Sequence, residues 1–364
     1  MMIEYLTVKR VSISLVILGL LLSGFMVLKP GHTEPIVDAN GKVVPNSIAS
    51  MEKVKLGGVD QWIVMRGKNK DNPIILLLSG GPGGTEMGRF LNFNKELEDH
   101  FLVVNWEQRG CGKSYPAIKD KEGMRVEQYV SDINELTEYL KERFDREKIY
   151  LLGHSWGTII GTKAVQKYPE HFYAYIGAAQ MVNIKATDKY MYNYVLEAAK
   201  KKGQDKLVDK LEKAGEPPYY GEKVIWKYKP FISNYAEYYK DANPFVEKNR
   251  GWYNPKSFLF IPEYNLLDQI RVFRGMIDTF NLVYPQLQDV NFVTQVNKLE
   301  VPVYYIIGKH DYTARYIEEY FDVLEAPKKE LFWFEHSAHG DIWTEPDKFH
   351  NIMINKVLPE TYHQ

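Results

Sequence analysis

The chain has 364 residues, of which 45% are hydrophobic and 26% charged, enough for one large core with an inserted subdomain. Lysine plus arginine (46) nearly balances aspartate plus glutamate (47), and a formal net charge of -1 argues against a nucleic-acid partner. The single cysteine, Cys111, excludes an intramolecular disulfide framework and a cysteine-rich metal site.

The first apolar run, Val11 to Leu28, carries no charge and is flanked by Lys9, Arg10 and Lys29. As a helix it would extend about 27 Å, close to the hydrocarbon thickness of a bilayer. No small-x-small cleavage site follows, so residues 1–30 are expected to form an uncleaved signal anchor. Lys9 and Arg10 then put the amino terminus in the cytoplasm and the body of the protein outside the cell membrane, with secretion after cleavage as the alternative. A spacer containing Pro30, Gly31 and Pro45 leads to about residue 50.

From there the pattern is that of an α/β core. Met51 to Arg66 alternates around Gly57-Gly58, as a hairpin would. Ile74–Leu78 and Phe101–Trp106 are continuous apolar runs of the buried-strand type. Val126, Val130, Ile133, Leu136, Leu140 and Phe144 recur at helical spacing. Strand Ile149–Leu152, helix Gly157–Tyr168 and strand Ala174–Ala179 follow. This alternation predicts a mostly parallel sheet with helices on both faces. The rhythm breaks over residues 184–290, a Tyr-rich stretch without strong strand runs that reads as an inserted helical cap. The core, begun over 51–183, resumes over 291–364 with strands Val301–Ile307 and Leu331–Phe334 and a helix from Pro346 to Val357.

Chemistry enters at Gly153-His154-Ser155-Trp156-Gly157, a G-x-S-x-G between an apolar strand and an apolar helix. The turn holds its serine in a strained conformation in which neighbouring side chains would collide, hence the glycines. Ser155 is the expected nucleophile, and it needs a base oriented by an acid. In the chain order Ser, Asp/Glu, His, the acid is Asp311, after strand Val301–Ile307; an N-cap is its alternative task. The base is His339, between Ala338 and Gly340, with His336 as its competitor. A metal site built from both histidines and Asp341 is a rival that no further ligand cluster supports. The glycines of Gly80–Gly84 free the backbone for an oxyanion hole, with the amides of Gly81 and Trp156 as the expected donors. No cofactor or metal is required.

Gly110-Cys111-Gly112-Lys113-Ser114 imitates the end of a phosphate-binding loop, but Glu107 stands where that motif needs its first glycine. Cys111 reads as a small filler of a tight loop.

Several segments resemble the proline iminopeptidase family of α/β-hydrolases, serine peptidases that remove N-terminal residues. They are SGGPGG (79–84), VVNWEQRGCGKS (103–114), GHSWG (153–157), YIGAAQMVN (175–183), GKHD (308–311) and HGDIWTEPDKF (339–349). In that family the histidine stands seven residues before a proline, as His339 does before Pro346. The likeness covers about Val54 to Val357 apart from much of the insertion. Two positions depart from it: Ser79 replaces a histidine of HGGPG, and Glu107 replaces an aspartate. The resemblance implies that acidic groups of the cap hold the substrate's α-amino group, Glu263 being one possible equivalent.

The expectation is therefore an α/β-hydrolase acting through an acyl-enzyme on short peptides. A small ester, lipid or thioester is the alternative substrate, and a non-catalytic, membrane-tethered binding protein the third reading. Oligomeric state is not legible.

Overall fold

The computed structural model describes residues 29–242 and 258–362, with backbone alone over 236–242. One sheet of eight strands organises it, in the order β1-β2-β4-β3-β5-β6-β7-β8. The strands are β1 (Ile48–Leu56), β2 (Val59–Gly67), β3 (Ile74–Leu78), β4 (Leu102–Glu107), β5 (Ile149–His154), β6 (Phe172–Ala178), β7 (Val303–Gly308) and β8 (Lys329–Phe334). β1 and β2 form the predicted hairpin, Leu56 pairing with Val59. Its two turn residues, Gly57 and Gly58, have φ of 52° and 78°, the mirror-image turn that matches strand twist. From β4 to β8 every pairing is parallel, and β3, β4, β5 and β7 are buried throughout. That is why these strands read as unbroken apolar runs rather than alternations.

Two apolar layers cover the two faces of the sheet. One includes Leu76, Leu78, Val104 and Leu151 with Ile133, Leu136 and Leu140 of helix Val126–Phe144. The other includes Ile75, Leu77, Val103 and Leu152 with Phe349, Ile352 and Met353 of the closing helix. That helix runs from Pro346 to Ile352 and passes through a wider turn at Met353–Val357. Between β6 and β7 the described elements are helical, chiefly Ile184–Lys201, Asp205–Ala214, Ile225–Ala242 and Leu266–Val283. Leu266–Val283 starts at a capping box formed by Asn265 and Asp268.

The spacer is anchored, with Ile36 buried, His32 N donating to Pro262 O (3.0 Å), and Arg66 donating to Thr33 Oγ1 (2.8 Å). The imitation phosphate loop is filled from within. Lys113 N donates to Glu107 Oε2 at 2.7 Å, so a carboxylate of the chain itself takes the amide that a phosphate would need.

The expectation of a membrane-anchored protein is corrected here. The stretch Val11–Leu28 lies outside the described residues, and among the described residues no helix is long and apolar enough to cross a membrane. The long helix Val126–Phe144 shows why: it carries Glu127, Asp132, Glu135, Glu138, Lys141, Glu142 and Arg143, charges too costly to place in hydrocarbon.

Candidate active site

β5 runs straight into the tight turn that carries Ser155, which has φ 55° and ψ -121°, a conformation unfavourable for a residue with a side chain. The surrounding glycines are required sterically. A Cβ on Gly157 would stand 2.0 Å from Leu78 O, and one on Gly153 would stand 2.7 Å from Gly157 O. The turn is held by Ser155 N donating to Ala178 O (3.1 Å) and Thr158 Oγ1 donating to Ser155 O (2.6 Å). Ser155 Oγ thereby stands above the sheet at the start of helix Trp156–Lys167, where the helix dipole favours negative charge.

The three residues singled out from the sequence converge. His339 Nε2 lies 2.9 Å from Ser155 Oγ, and His339 Nδ1 lies 3.0 Å from Asp311 Oδ2. Asp311 follows β7 and its carboxylate is fully buried. It accepts hydrogen bonds from Thr313 N (2.8 Å) and from Thr313 Oγ1 (2.9 Å), besides facing His339. Burial alone would raise its pKa, but the His339 charge and the hydrogen bonds from His339 and Thr313 outweigh it and hold the carboxyl below its ordinary value. With Nδ1 donating to Asp311, Nε2 presents a lone pair to the Ser155 hydroxyl.

The competing residues do not join this line of contacts. His336 is exposed, its backbone N–H bound to Glu345 Oε1 at 3.0 Å. Asp341 is buried and accepts from Ala179 N at 3.1 Å. Among the described residues no group of three or more potential metal ligands occurs. Cys111 donates to Gly84 O at 2.7 Å, and burial pushes its thiol pKa well up, so it acts as a tie beneath the glycine loop.

Gly81 lines the same cavity as Ser155, with φ 140°. A Cβ there would stand 2.5 Å from Gly84 N, so the loop can fold this tightly only with glycine. Trp156 is buried at the helix start, its indole N–H donating to Gln108 Oε1 at 2.9 Å. Gln108 Nε2 in turn donates to Ser79 O at 3.0 Å. One side chain thus braces both segments that carry the expected oxyanion donors.

The cavity, about 390 Å³, has Ser155, His339 and the glycine loop on one side and the helical segment on the other. Met181, Met191, Ile232, Met276 and Phe280 make much of its wall apolar. Asp188 is the one carboxylate that the described helical segment contributes to it; Glu263 is buried but is not part of the wall. Asp188 accepts from Tyr284 OH (2.8 Å) and Gln288 Nε2 (3.2 Å), and burial pushes its pKa up to about 7.

Sequence reasoning missed five side chains at this site: Thr313, Gln108, Asp188, and the pair made by His154 with Glu86. For Thr313 the signal was a hydroxyl two residues after an expected acid. For His154 and Glu86 it was a charged residue inside each of two tightly turned, site-forming segments. Asp188 carried none, because its exposure depends on how the helices pack.

Comparison with known proteins agrees with this architecture. Residues 73–346 match the family model described as alpha/beta hydrolase fold. The chain is 31% identical over 320 residues to a probable aminopeptidase of Bacillus subtilis, covering 84% of this chain and 96% of that protein. It is 23% identical over 304 residues to a proline iminopeptidase of Saccharolobus solfataricus, covering 82% of this chain and 87% of that protein. The solved structure of a proline iminopeptidase from Mycobacterium smegmatis superposes with a TM-score of 0.61 at 17% identity, over 86% of this chain and 99% of that one. The chain belongs to the α/β-hydrolase family, in its proline iminopeptidase-like branch.

Proposed function

We propose that this protein is a serine aminopeptidase that releases the N-terminal residue of short peptides through an acyl-enzyme. The observation that carries the reading is the continuous contact from Asp311 through His339 to Ser155 at the wall of a cavity. His339 Nε2 takes the Ser155 proton as Oγ attacks the substrate carbonyl. Asp311 keeps the imidazole in the tautomer that can accept it and stabilises the imidazolium that forms. The amides of Gly81 and Trp156 receive the oxyanion, each donor being worth roughly 10²–10³ in rate. The imidazolium then protonates the leaving amine, and water, activated by the same His339, hydrolyses the ester.

The aminopeptidase reading is supported by the relatives' names and by the cavity wall. Asp188 faces the space from the helical segment and is the carboxylate we assign to the substrate's α-ammonium group. Hydrolysis of small esters by the same residues is the second reading, favoured by the apolar wall of Met181, Met191, Ile232 and Phe280.

The test is fluorophosphonate labelling together with paired peptide substrates. Labelling should vanish in Ser155→Ala, and its persistence there would refute the nucleophile. Free aminoacyl anilides should be cleaved and their N-acetylated counterparts spared; equal cleavage of both would favour the esterase.

A further inference from the structure

We propose that Glu86 and His154 form a charged clamp that positions Ser155 and His339, and that, opposite the Glu86 carboxylate, His154 must remain an imidazolium for Ser155 to react. The proposal rests on the serine-hydrolase reading above and adds two positioning residues to it.

His154 is the variable residue of G-x-S-x-G and is 4% exposed. Its Nε2 lies 2.8 Å from His339 O, a carbonyl that can only accept, so Nε2 carries a proton. Its Nδ1 lies 2.5 Å from Glu86 Oε1. Nδ1 has no hydrogen-bond partner of good geometry, so this contact is an ion pair, in which an unprotonated Nδ1 would set its lone pair against the carboxylate. Burial disfavours the charged imidazole, yet the Glu86 carboxylate overrides it and the His154 pKa is pushed up to about 9. The titratable groups facing the ring are Glu86, Asp341 and the His339 imidazole, whose centroid is 5.3 Å away; Arg89 lines the same cavity.

The clamp joins three segments that each hold a reacting part. Glu86 ends the glycine loop and its N–H donates to Ser79 Oγ at 3.3 Å. His154 precedes Ser155, and the carbonyl it grips belongs to His339. The segments meet at Gly80, where a Cβ would stand 3.2 Å from both Glu86 Oε1 and Ser155 Cβ, and 3.5 Å from His154 Nδ1. When His154 loses a proton, Nδ1 gives it up, because Nε2 remains bound to the His339 carbonyl. A lone pair then confronts the carboxylate, and the glycine loop is driven from the nucleophile turn, taking the Gly81 amide with it.

A buried pair that served only stability would change melting temperature and active fraction without shaping the pH dependence of the reaction. The readout is therefore the inactivation rate of the purified protein by an uncharged alkyl fluorophosphonate, which has no titrating group, measured from about pH 6 to pH 10.5. Wild-type reactivity should descend around pH 9. Glu86→Gln should lose that descent, since an amide can donate to a neutral imidazole and keep the clamp shut at every pH. Glu86→Ala, which cannot, should react at least about tenfold more slowly at neutral pH, and its wild-type-like reactivity would count against the clamp. An unshifted alkaline descent in Glu86→Gln overturns the proposal. Histidine-selective nitrogen-15 spectra of the wild type decide independently of whether the variants fold: two protonated nitrogens on His154 at about pH 7.5 support the clamp, and one overturns it. A Ser155 that never reacts with the probe would instead refute the serine-hydrolase reading, and the spectra would still report the state of His154.

Discussion

The carbonyl oxygen of Leu78 occupies the space into which a side chain on Gly157 would project, 2.0 Å from the ideal Cβ position. The end of β3 and the start of the helix behind Ser155 are therefore in backbone-to-backbone contact. A methyl group at Gly157 has no flexible neighbour to displace. Gly157→Ala should destabilise the protein by about 1–3 kcal/mol or more and reduce turnover at least a hundredfold, because the shift it forces moves Ser155 itself. Urea unfolding and kcat, measured side by side, check this.

Asp311→Asn keeps the shape of the acid but presents an amide to His339 Nδ1, favouring the wrong tautomer. Turnover should fall by ~10⁴, with substrate binding little changed. Thr313→Ala removes the hydroxyl that contacts both oxygens of the carboxylate, while the Thr313 N–H remains. Its effect should be close to ~1 kcal/mol, a loss of several-fold in kcat/KM. A larger drop for Thr313→Ala than for Asp311→Asn would reverse this ranking.

Gln108 is the only bridge among the described contacts that links Ser79 O to the Trp156 indole. Gln108→Leu would leave a buried N–H and a buried carbonyl without partners, a cost of about 1–3 kcal/mol for each. If the bridge also places the oxyanion amides, kcat should fall tenfold or more with KM nearly unchanged. A pure stability change, with kcat of the folded fraction intact, would limit Gln108 to a structural task.

Asp188 gives a pH dependence with a definite sign. Burial raises its pKa from 3.8 to about 7, so the folded protein holds this proton more tightly than the unfolded chain. The stabilising contribution is complete below about pH 3.9 and is lost as pH rises through about 7. Asp188→Asn should flatten that slope and be the more stable form by about 1–3 kcal/mol above pH 7. Gln288 Oε1 is buried without a partner, so rotation of that amide lets it accept from the new side chain. The same variant should raise KM for substrates with a free α-amino group about tenfold, leaving ester substrates unaffected; equal KM changes for both would remove Asp188 from ammonium recognition.

The local order of this protein was written in its sequence. Apolar runs marked β3, β4, β5 and β7 because strands buried on both faces have no polar face to display. The paired glycines between β1 and β2, and those flanking Ser155, could be read because backbone conformations forbidden to side chains leave that residue as their signature. His339 was preferred to His336 for its small neighbours Ala338 and Gly340, and for a spacing to Pro346 that only the family resemblance supplied; the structure puts the His339 ring beside Ser155. Tertiary structure alone decided the rest. Asp188 in the cavity wall and Glu263 outside it are both acids of one helical segment, and only the packing of its helices separates them. Glu86 and His154 lie 68 residues apart along the chain, and their pairing exists only because the parallel strands bring the glycine loop and the Ser155 turn to one edge of the sheet. Periodicity reports which face of an element is buried; it carries no record of which distant side chain will meet it there.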